Sequence, residues 1–245
     1  MDKKFLFEIE GPEYSGKTTL LQNLKDFVED NEISYHFEFA KLPGTTYLGT
    51  ILRPALKTYR GFNALSSVGT MLAVQADTYK FLSELEDKTA IVTDRGLLSS
   101  IIYQGLIEKC DESDYKNLFR LAISSLDDFL NKNFNYYRII LSINAQTVYE
   151  RKTGRDLVEG DPKDVYDNMS FEEHSKLCSY YGDIEISKKY LSNSDRTIII
   201  DTNNMKQEDV FDVVLKVIGS KLTEIGTFKT ISDFFVSEMK NKLAL

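Results

Sequence analysis

The sequence predicts an α/β protein built on a mostly parallel, helix-covered sheet, and three observations carry that expectation. Five apolar segments with strand character alternate with stretches of helical periodicity, at residues 5–10, 35–41, 90–94, 137–144 and 197–201. Two of them, Ala-Ile-Val from Ala90 and Thr-Ile-Ile-Ile from Thr197, are continuous apolar runs of the kind buried on both faces of a parallel sheet. The first segment, FLFEIE, runs straight into Gly11-Pro12-Glu13-Tyr14-Ser15-Gly16-Lys17-Thr18, which fits the G-x-x-x-x-G-K-[ST] phosphate-binding loop.

Each element has its own signal. After Lys17, apolar residues recur at Leu20, Leu21, Leu24, Phe27 and Val28, the spacing of a helix. Tyr35, Phe37 and Phe39 alternate with His36, Glu38 and Ala40 in the second strand segment, where His36 reads as structural. Leu48, Ile51, Leu52, Ala55 and Leu56 suit a short helix, and Leu65, Val68, Met71, Leu72, Gln75, Tyr79 and Leu82 a longer one. Leu118, Leu121, Ala122, Leu126, Phe129 and Leu130 suit another, and residues 231–243 follow the turn-prone pair Gly226-Thr227 as a last helix-like segment. Neither an internal repeat nor a low-complexity linker interrupts the 245 residues, so one domain is expected.

Composition narrows the function classes. The formal net charge of −8 argues against broad binding to a nucleic-acid backbone, which needs a basic surface, and favours nucleotides over polymers as phosphate ligands. Cys110 and Cys178 lie far apart without metal-ligand spacing and read as free thiols in a reducing compartment. The N-terminus enters the first strand without a signal-peptide pattern, and no apolar run approaches the ~20 residues of a membrane span. A cytoplasmic protein that binds neither nucleic acid nor membrane is therefore expected.

In open α/β sheets the ligand lies beyond the carboxyl ends of the strands, which selects three places. The phosphate loop turns backbone N–H groups toward a phosphate at a helix N-terminus, with Lys17 reaching the β and γ phosphates and the Thr18 hydroxyl ligating magnesium. The second strand ends at Lys41-Leu42-Pro43-Gly44-Thr45, with Arg53 on the helix that follows. The planar fork of Arg53 suits a phosphate, and the third strand ends at Asp94-Arg95, where Asp94 is placed to support the magnesium shell. His174, in FEEHSKL, reads as a surface or lid-adjacent side chain, and Glu159, Asp161 and Asp164 as a solvated loop.

Together these residues resemble the thymidylate kinases, within the nucleoside monophosphate kinase group. Four blocks carry the resemblance. Glu10-Gly11-Pro12-Glu13 through Lys17-Thr18-Thr19 is similar to E-G-x-[DE]-x-x-G-K-[ST]-T, and Pro43-Gly44-Thr45-Thr46-Tyr47-Leu48-Gly49 with Leu52-Arg53 to P-G-G-T-x-x-G-x-x-[IL]-R. Asp94-Arg95-Gly96 through Ser99-Ser100 to Tyr103-Gln104-Gly105 is similar to D-R-Y-x-x-S-S-x-A-Y-Q-G, and residues 151–159 (RKTGRDLVE) to the arginine-bearing lid. The resemblance implies a five-stranded parallel sheet in the order 2-3-1-4-5, a lid at about 151–165, an additional helical segment at about 222–245, and a homodimer. It implies transfer of the γ-phosphoryl of ATP, with magnesium, to a pyrimidine deoxynucleoside monophosphate, thymidylate or deoxyuridylate.

By the same resemblance the ATP site comprises Gly11, Pro12, Glu13, Tyr14, Ser15, Gly16, Lys17, Thr18 and Thr19. Glu13, Arg53 and Arg95 hold the acceptor's sugar and phosphate, Ser100 and Gln104 border the base, Tyr103 presses on the deoxyribose, and Ser99 belongs to the same acceptor site. The loop between Gly11 and Gly16 holds no basic side chain, so the transition-state charge falls to the lid, to Arg155 first and Arg151 second. In Met71-Leu72-Ala73-Val74-Gln75-Ala76-Asp77-Thr78, similar to L-L-F-A-A-D-R, Val74 stands near a base-stacking aromatic and Thr78 replaces a base-contacting arginine. Gly96 replaces an aromatic and is expected to open space near the acceptor. The bulky Tyr14 must point away from the phosphates. Two alternatives stay open, a deoxynucleoside kinase acting on a 5′-hydroxyl and a nucleotide-binding module without turnover.

Overall fold

A computed structural model describes residues 4–31, 35–58, 63–153 and 169–224. The strands are β1 (Lys4–Glu10), β2 (His36–Lys41), β3 (Thr89–Asp94), β4 (Phe134–Ser142) and β5 (Thr197–Asp201). They form one sheet in the order β2-β3-β1-β4-β5, and every neighbouring pair is parallel. The helices are α1 (Lys17–Asp30), α2 (Tyr47–Thr58), α3 (Ala64–Ser83), α4 (Leu97–Ser100), α5 (Lys116–Asn133), α6 (Ala145–Thr153), α7 (Phe171–Gly182), α8 (Ile184–Tyr190) and α9 (Gln207–Glu224). From α4 the chain continues in the wider π-helical turn of Ile101–Ile107. Among the described residues no helix is long and apolar enough to cross a membrane.

Alternation along β1 decides what each layer of the molecule contains. Phe5, Phe7 and Ile9 pack with Leu20, Leu21 and Leu24 of α1 and Val214 and Ile218 of α9. The intervening Leu6 joins Tyr79 and Leu82 of α3, Leu97 of α4 and Phe119 and Leu130 of α5 on the opposite face. Glu8 and Glu10 follow Leu6 on that second face, and both are fully buried. Buried carboxylates persist only where hydrogen bonds satisfy them. Glu8 accepts from the hydroxyls of Tyr79 and Tyr136, each at 2.6 Å, and from the backbone N–H of Leu97. Glu10 accepts from the backbone N–H of Ser99 at 3.0 Å and from its hydroxyl at 2.5 Å. Two glutamates of the central strand thus fasten the start of α4 to the sheet.

Three expectations change. The fourth strand begins at Phe134, earlier than residue 137, and ends at Ser142. Phe134 and Tyr136 point into the core and register against Lys4 and Leu6, so backbone pairing with β1 overrides the polar look of that stretch. His174 is buried, with its ring edge-on to Tyr149 at 6.2 Å, because its face of α7 packs inward. The side of Gly96 is not open: a Cβ there would lie 1.9 Å from the carboxyl carbon of Glu8, which fills the space an aromatic would need. Cys110 and Cys178 are free and buried, as expected.

Candidate active site

The loop between β1 and α1 turns through backbone conformations that glycine tolerates. Gly11 has φ +148°, and a Cβ on it would stand 2.6 Å from the carbonyl oxygen of Leu141. Gly16, with φ +98°, caps α1 in the left-handed region and leaves the helix N-terminus open. Tyr14 also has positive φ, and its side chain leans on the Ile143, Val148 and Cys178 cluster. Pro12 and Ser15 are buried with the loop, Thr19 is half-buried, and Thr18 is exposed on the first turn of α1. The Lys17 ammonium curls back over the loop and donates to the carbonyls of Gly11 and Pro12, both at 2.7 Å. Burial and the neighbouring Arg95 lower its pKa to about 8, against the opposing pull of Glu13, Asp94 and Glu10.

Beside the loop lies a cleft walled by Glu13, Lys41, Leu42, Pro43, Arg53, Leu56, Arg95, Gly96, Ser99, Ser100, Tyr103, Gln104 and Glu108, with one face of α3 as its far side. Glu13 is the joint between loop and cleft. Its carboxylate lies 2.6 Å from the Arg95 guanidinium and accepts from the Tyr103 hydroxyl at 2.8 Å. Although burial opposes it, Arg95 and Lys17 hold the Glu13 carboxyl below the usual carboxylate range. Arg95 itself has φ +69° and anchors through its N–H to the carbonyl of Ile9, so the end of β3 turns its side chain into the cleft. The guanidinium lies over the Tyr103 ring at 5.2 Å. Arg53 reaches back from α2 to donate to the Pro43 carbonyl at 3.0 Å, passing over Gly44, whose absent side chain makes room for it.

Seven of the residues expected at the acceptor converge on this cleft: Glu13, Arg53, Arg95, Ser99, Ser100, Tyr103 and Gln104. Val74 and Thr78 do not. Both are fully buried on another face of α3, and the Thr78 hydroxyl donates to the Val74 carbonyl. The helix presents Ser67, Met71 and Gln75 to the cleft instead, a stripe at four-residue spacing. The helical pattern alone could have revealed it, since Val68, Leu72, Tyr79 and Leu82 mark the core face next to it. Tyr181 of α7 escaped the sequence reading altogether. Its hydroxyl is 2.9 Å from that of Ser99 and 3.4 Å from the Arg95 guanidinium, and no local motif marks it.

Asp94 closes β3 in register with Ile9 and lies 3.6 Å from the Lys41 ammonium. Arg151, on α6, donates to the Tyr14 carbonyl at 3.0 Å and to the Thr202 carbonyl at 2.8 Å, tying the phosphate loop to the end of β5. Arg155 and most of the 151–165 segment lie outside the described residues, as do Glu159, Asp161, Asp164 and most of the 222–245 segment. Among the described residues no three His, Cys, Asp or Glu side chains gather as a metal cluster.

The thymidylate kinase family model matches residues 9–212, which include the loop, the cleft and four of the five strands with the end of β1. The chain belongs to the thymidylate kinase family. Among similar relatives, a thymidylate kinase of Marinomonas sp. (strain MWYL1) is 30% identical over 182 residues, 72% of this chain and 78% of its own length. One from Caldicellulosiruptor saccharolyticus is 28% identical over 226 residues, covering 91% of this chain and 98% of its own. Among solved structures, thymidylate kinase from Candida albicans superposes with a TM-score of 0.62 at 17% identity, over 89% of this chain and 92% of that one. The Ehrlichia chaffeensis enzyme gives 0.56 at 20% identity, over 88% and 98%. At those identities the structural likeness speaks to the fold. The family match, which spans both the phosphate loop and the Asp94-Arg95 turn, makes the chain a member of a phosphotransferase family.

Proposed function

We propose that this chain transfers the γ-phosphoryl of ATP to the 5′-phosphate of thymidylate. The observation that carries the reading is Glu13, which belongs to the phosphate loop and at the same time forms a wall of the cleft through Arg95 and Tyr103. A donor bound on the loop and an acceptor bound in the cleft would meet at that residue. Phosphoryl transfer asks for two anions held in line with their charge neutralised, and for little covalent help. Lys17 would leave the Gly11 and Pro12 carbonyls for the β and γ phosphates, Arg53 and Arg95 would hold the acceptor phosphate, and Tyr103 would border the sugar. Arg151, already on the loop's backbone, orients it, and Arg155 is the candidate for added charge at the transferring group.

Magnesium prefers one or two protein oxygens together with phosphate oxygens and water, a set that the Thr18 hydroxyl and the Asp94 carboxylate fit. When bound there it would neutralise phosphate charge. Deoxyuridylate would enter the same cleft. A kinase acting on a 5′-hydroxyl would need a carboxylate base, and Glu13, held below its ordinary pKa by two cations, suits that task poorly. The test is a comparison of thymidine with thymidylate under ATP and magnesium; turnover of thymidine alone would sink the proposal. A Lys17→Ala variant matching wild type at background rate would favour a binding module without turnover.

We also infer a homodimer. Tyr115, Leu118 and Leu121 stand exposed at and along α5, a group of apolar side chains suited to cover by a second copy.

A further inference from the structure

The lining of the cleft carries two chemistries. Arg53, Arg95 and Lys41, with the carboxylates of Glu13 and Glu108, are its charged groups, while Gln75, Ser100 and Gln104 are neutral, polar and each at least 95% buried. On these neutral residues three polar atoms have no protein hydrogen-bond partner among the described residues: Oε1 of Gln75, Oγ of Ser100 and Oε1 of Gln104. Buried polar atoms are costly to leave unpaired, and three around one cleft mark the place where a ligand's polar edge belongs.

The orientation of both amides is dictated by their neighbours. Nε2 of Gln75 donates to the Gly96 carbonyl at 2.9 Å, and a carbonyl oxygen only accepts, so Oε1 is the amide atom left unpaired at this cleft-lining residue. Nε2 of Gln104 lies 3.5 Å from the Glu108 carboxylate, which also only accepts, and its Oε1 is likewise the unpaired atom. The unpaired atoms of the lining are therefore two fixed acceptors and one hydroxyl able to donate. Thymine and uracil have a single ring N–H for two acceptors. A 4-aminopyrimidine has two amino hydrogens and, beside them, a ring nitrogen that accepts, which is the complementary set.

We infer that the chain also phosphorylates deoxycytidylate, with Gln75 as the specificity-determining residue that accepts from the base's amino group. The inference rests on the thymidylate kinase reading of the cleft. A site that read a 4-oxo group through a fixed donor would reject the amino base by a factor on the order of 10⁴; here no such donor faces the base from Gln75.

The experiment measures kcat/KM with ATP and magnesium for thymidylate, deoxyuridylate, deoxycytidylate and deoxyadenylate, in wild type and Gln75→Leu. Deoxycytidylate is expected within roughly a hundredfold of thymidylate in the wild type. Gln75→Leu is expected to lower deoxycytidylate use roughly tenfold more than thymidylate use, mainly through KM. Deoxycytidylate more than a hundredfold below thymidylate overturns the inference while leaving the parent reading intact, whereas absence of thymidylate turnover removes the parent reading. Equal losses on both substrates would assign Gln75 to holding α3 against Gly96 and overturn its role in selection. Deoxyadenylate used better than deoxycytidylate would overturn the pyrimidine assignment, since adenine carries a similar edge. If Gln75→Leu fails to fold, the wild-type panel decides.

Discussion

The Lys17 ammonium sits on two carbonyls at 2.7 Å in a buried loop with Arg95 near, and its pKa is lowered to about 8. A phosphate chain favours the charged lysine, so nucleotide binding raises that pKa and draws in a proton wherever the free lysine has begun to lose it. ATP affinity should hold up to about pH 8 and weaken above it, with proton uptake measurable by calorimetry in buffers of different ionisation enthalpy. Uptake absent at pH 8.5 would contradict this. Lys17→Ala should reduce kcat by roughly 10²- to 10³-fold, the scale of removing one preorganised donor from a transition state. Tyr181 contributes through Ser99 and Arg95, so Tyr181→Phe should raise KM for the acceptor about fivefold, one hydrogen bond's worth, with kcat nearly unchanged.

At the scale of elements, β1 and α4 act as one unit because Glu8 and Glu10 hold the backbone of Leu97 and Ser99. A Cβ on Gly96 would displace the Glu8 carboxylate, so Gly96→Ala should cost about 1–3 kcal/mol of stability by overpacking. Adding Glu8→Ala to it should cost less than the sum of the two single changes, and additivity in denaturant melts would show the clash to be unimportant. Burial and the nearby Glu10 push the Glu8 carboxyl up to about 8. Below its ordinary value near 4.5 both folded and unfolded chains carry the proton; between 4.5 and about 8 only the folded chain keeps it, so stability falls as pH rises through that window. Glu8→Gln should flatten that part of the melting-temperature profile.

This unit also marks where legibility ended. The loop from Gly11 to Thr18, the helix after it and four of the five strand positions were readable because each signal is local: a glycine pattern, an apolar period, a run of branched residues. Nothing local marks the role of Glu8, since its partners Tyr79 and Tyr136 lie 71 and 128 residues away. Arg53, Arg95 and Tyr103 fell on the cleft because their motifs are contiguous. The stripe of α3 was misassigned to Val74 and Thr78 because a helix turned by one residue's angle keeps its period while changing its face.

For the whole molecule, the parallel sheet brings three strand ends to one edge, and the cleft opens there. The exposed apolar residues of α5 belong to a different surface. If they carry the proposed homodimer, Leu121→Glu should shift sedimentation from dimer to monomer; a monomeric wild type would overturn the dimer, and a dimer unchanged by the substitution would place the interface elsewhere. Among the described residues, five cations around the site already hold an oxygen of this chain: Lys17 those of Gly11 and Pro12, Arg53 that of Pro43, Arg151 those of Tyr14 and Thr202, Arg95 that of Glu13 and Lys41 that of Asp94. Binding is therefore an exchange of partners, in which each incoming anion must outbid an internal contact. A nucleotide brings its base and sugar to the contest as well, contacts that free phosphate lacks, and so the internal partners set a threshold that favours the nucleotide over the inorganic anion.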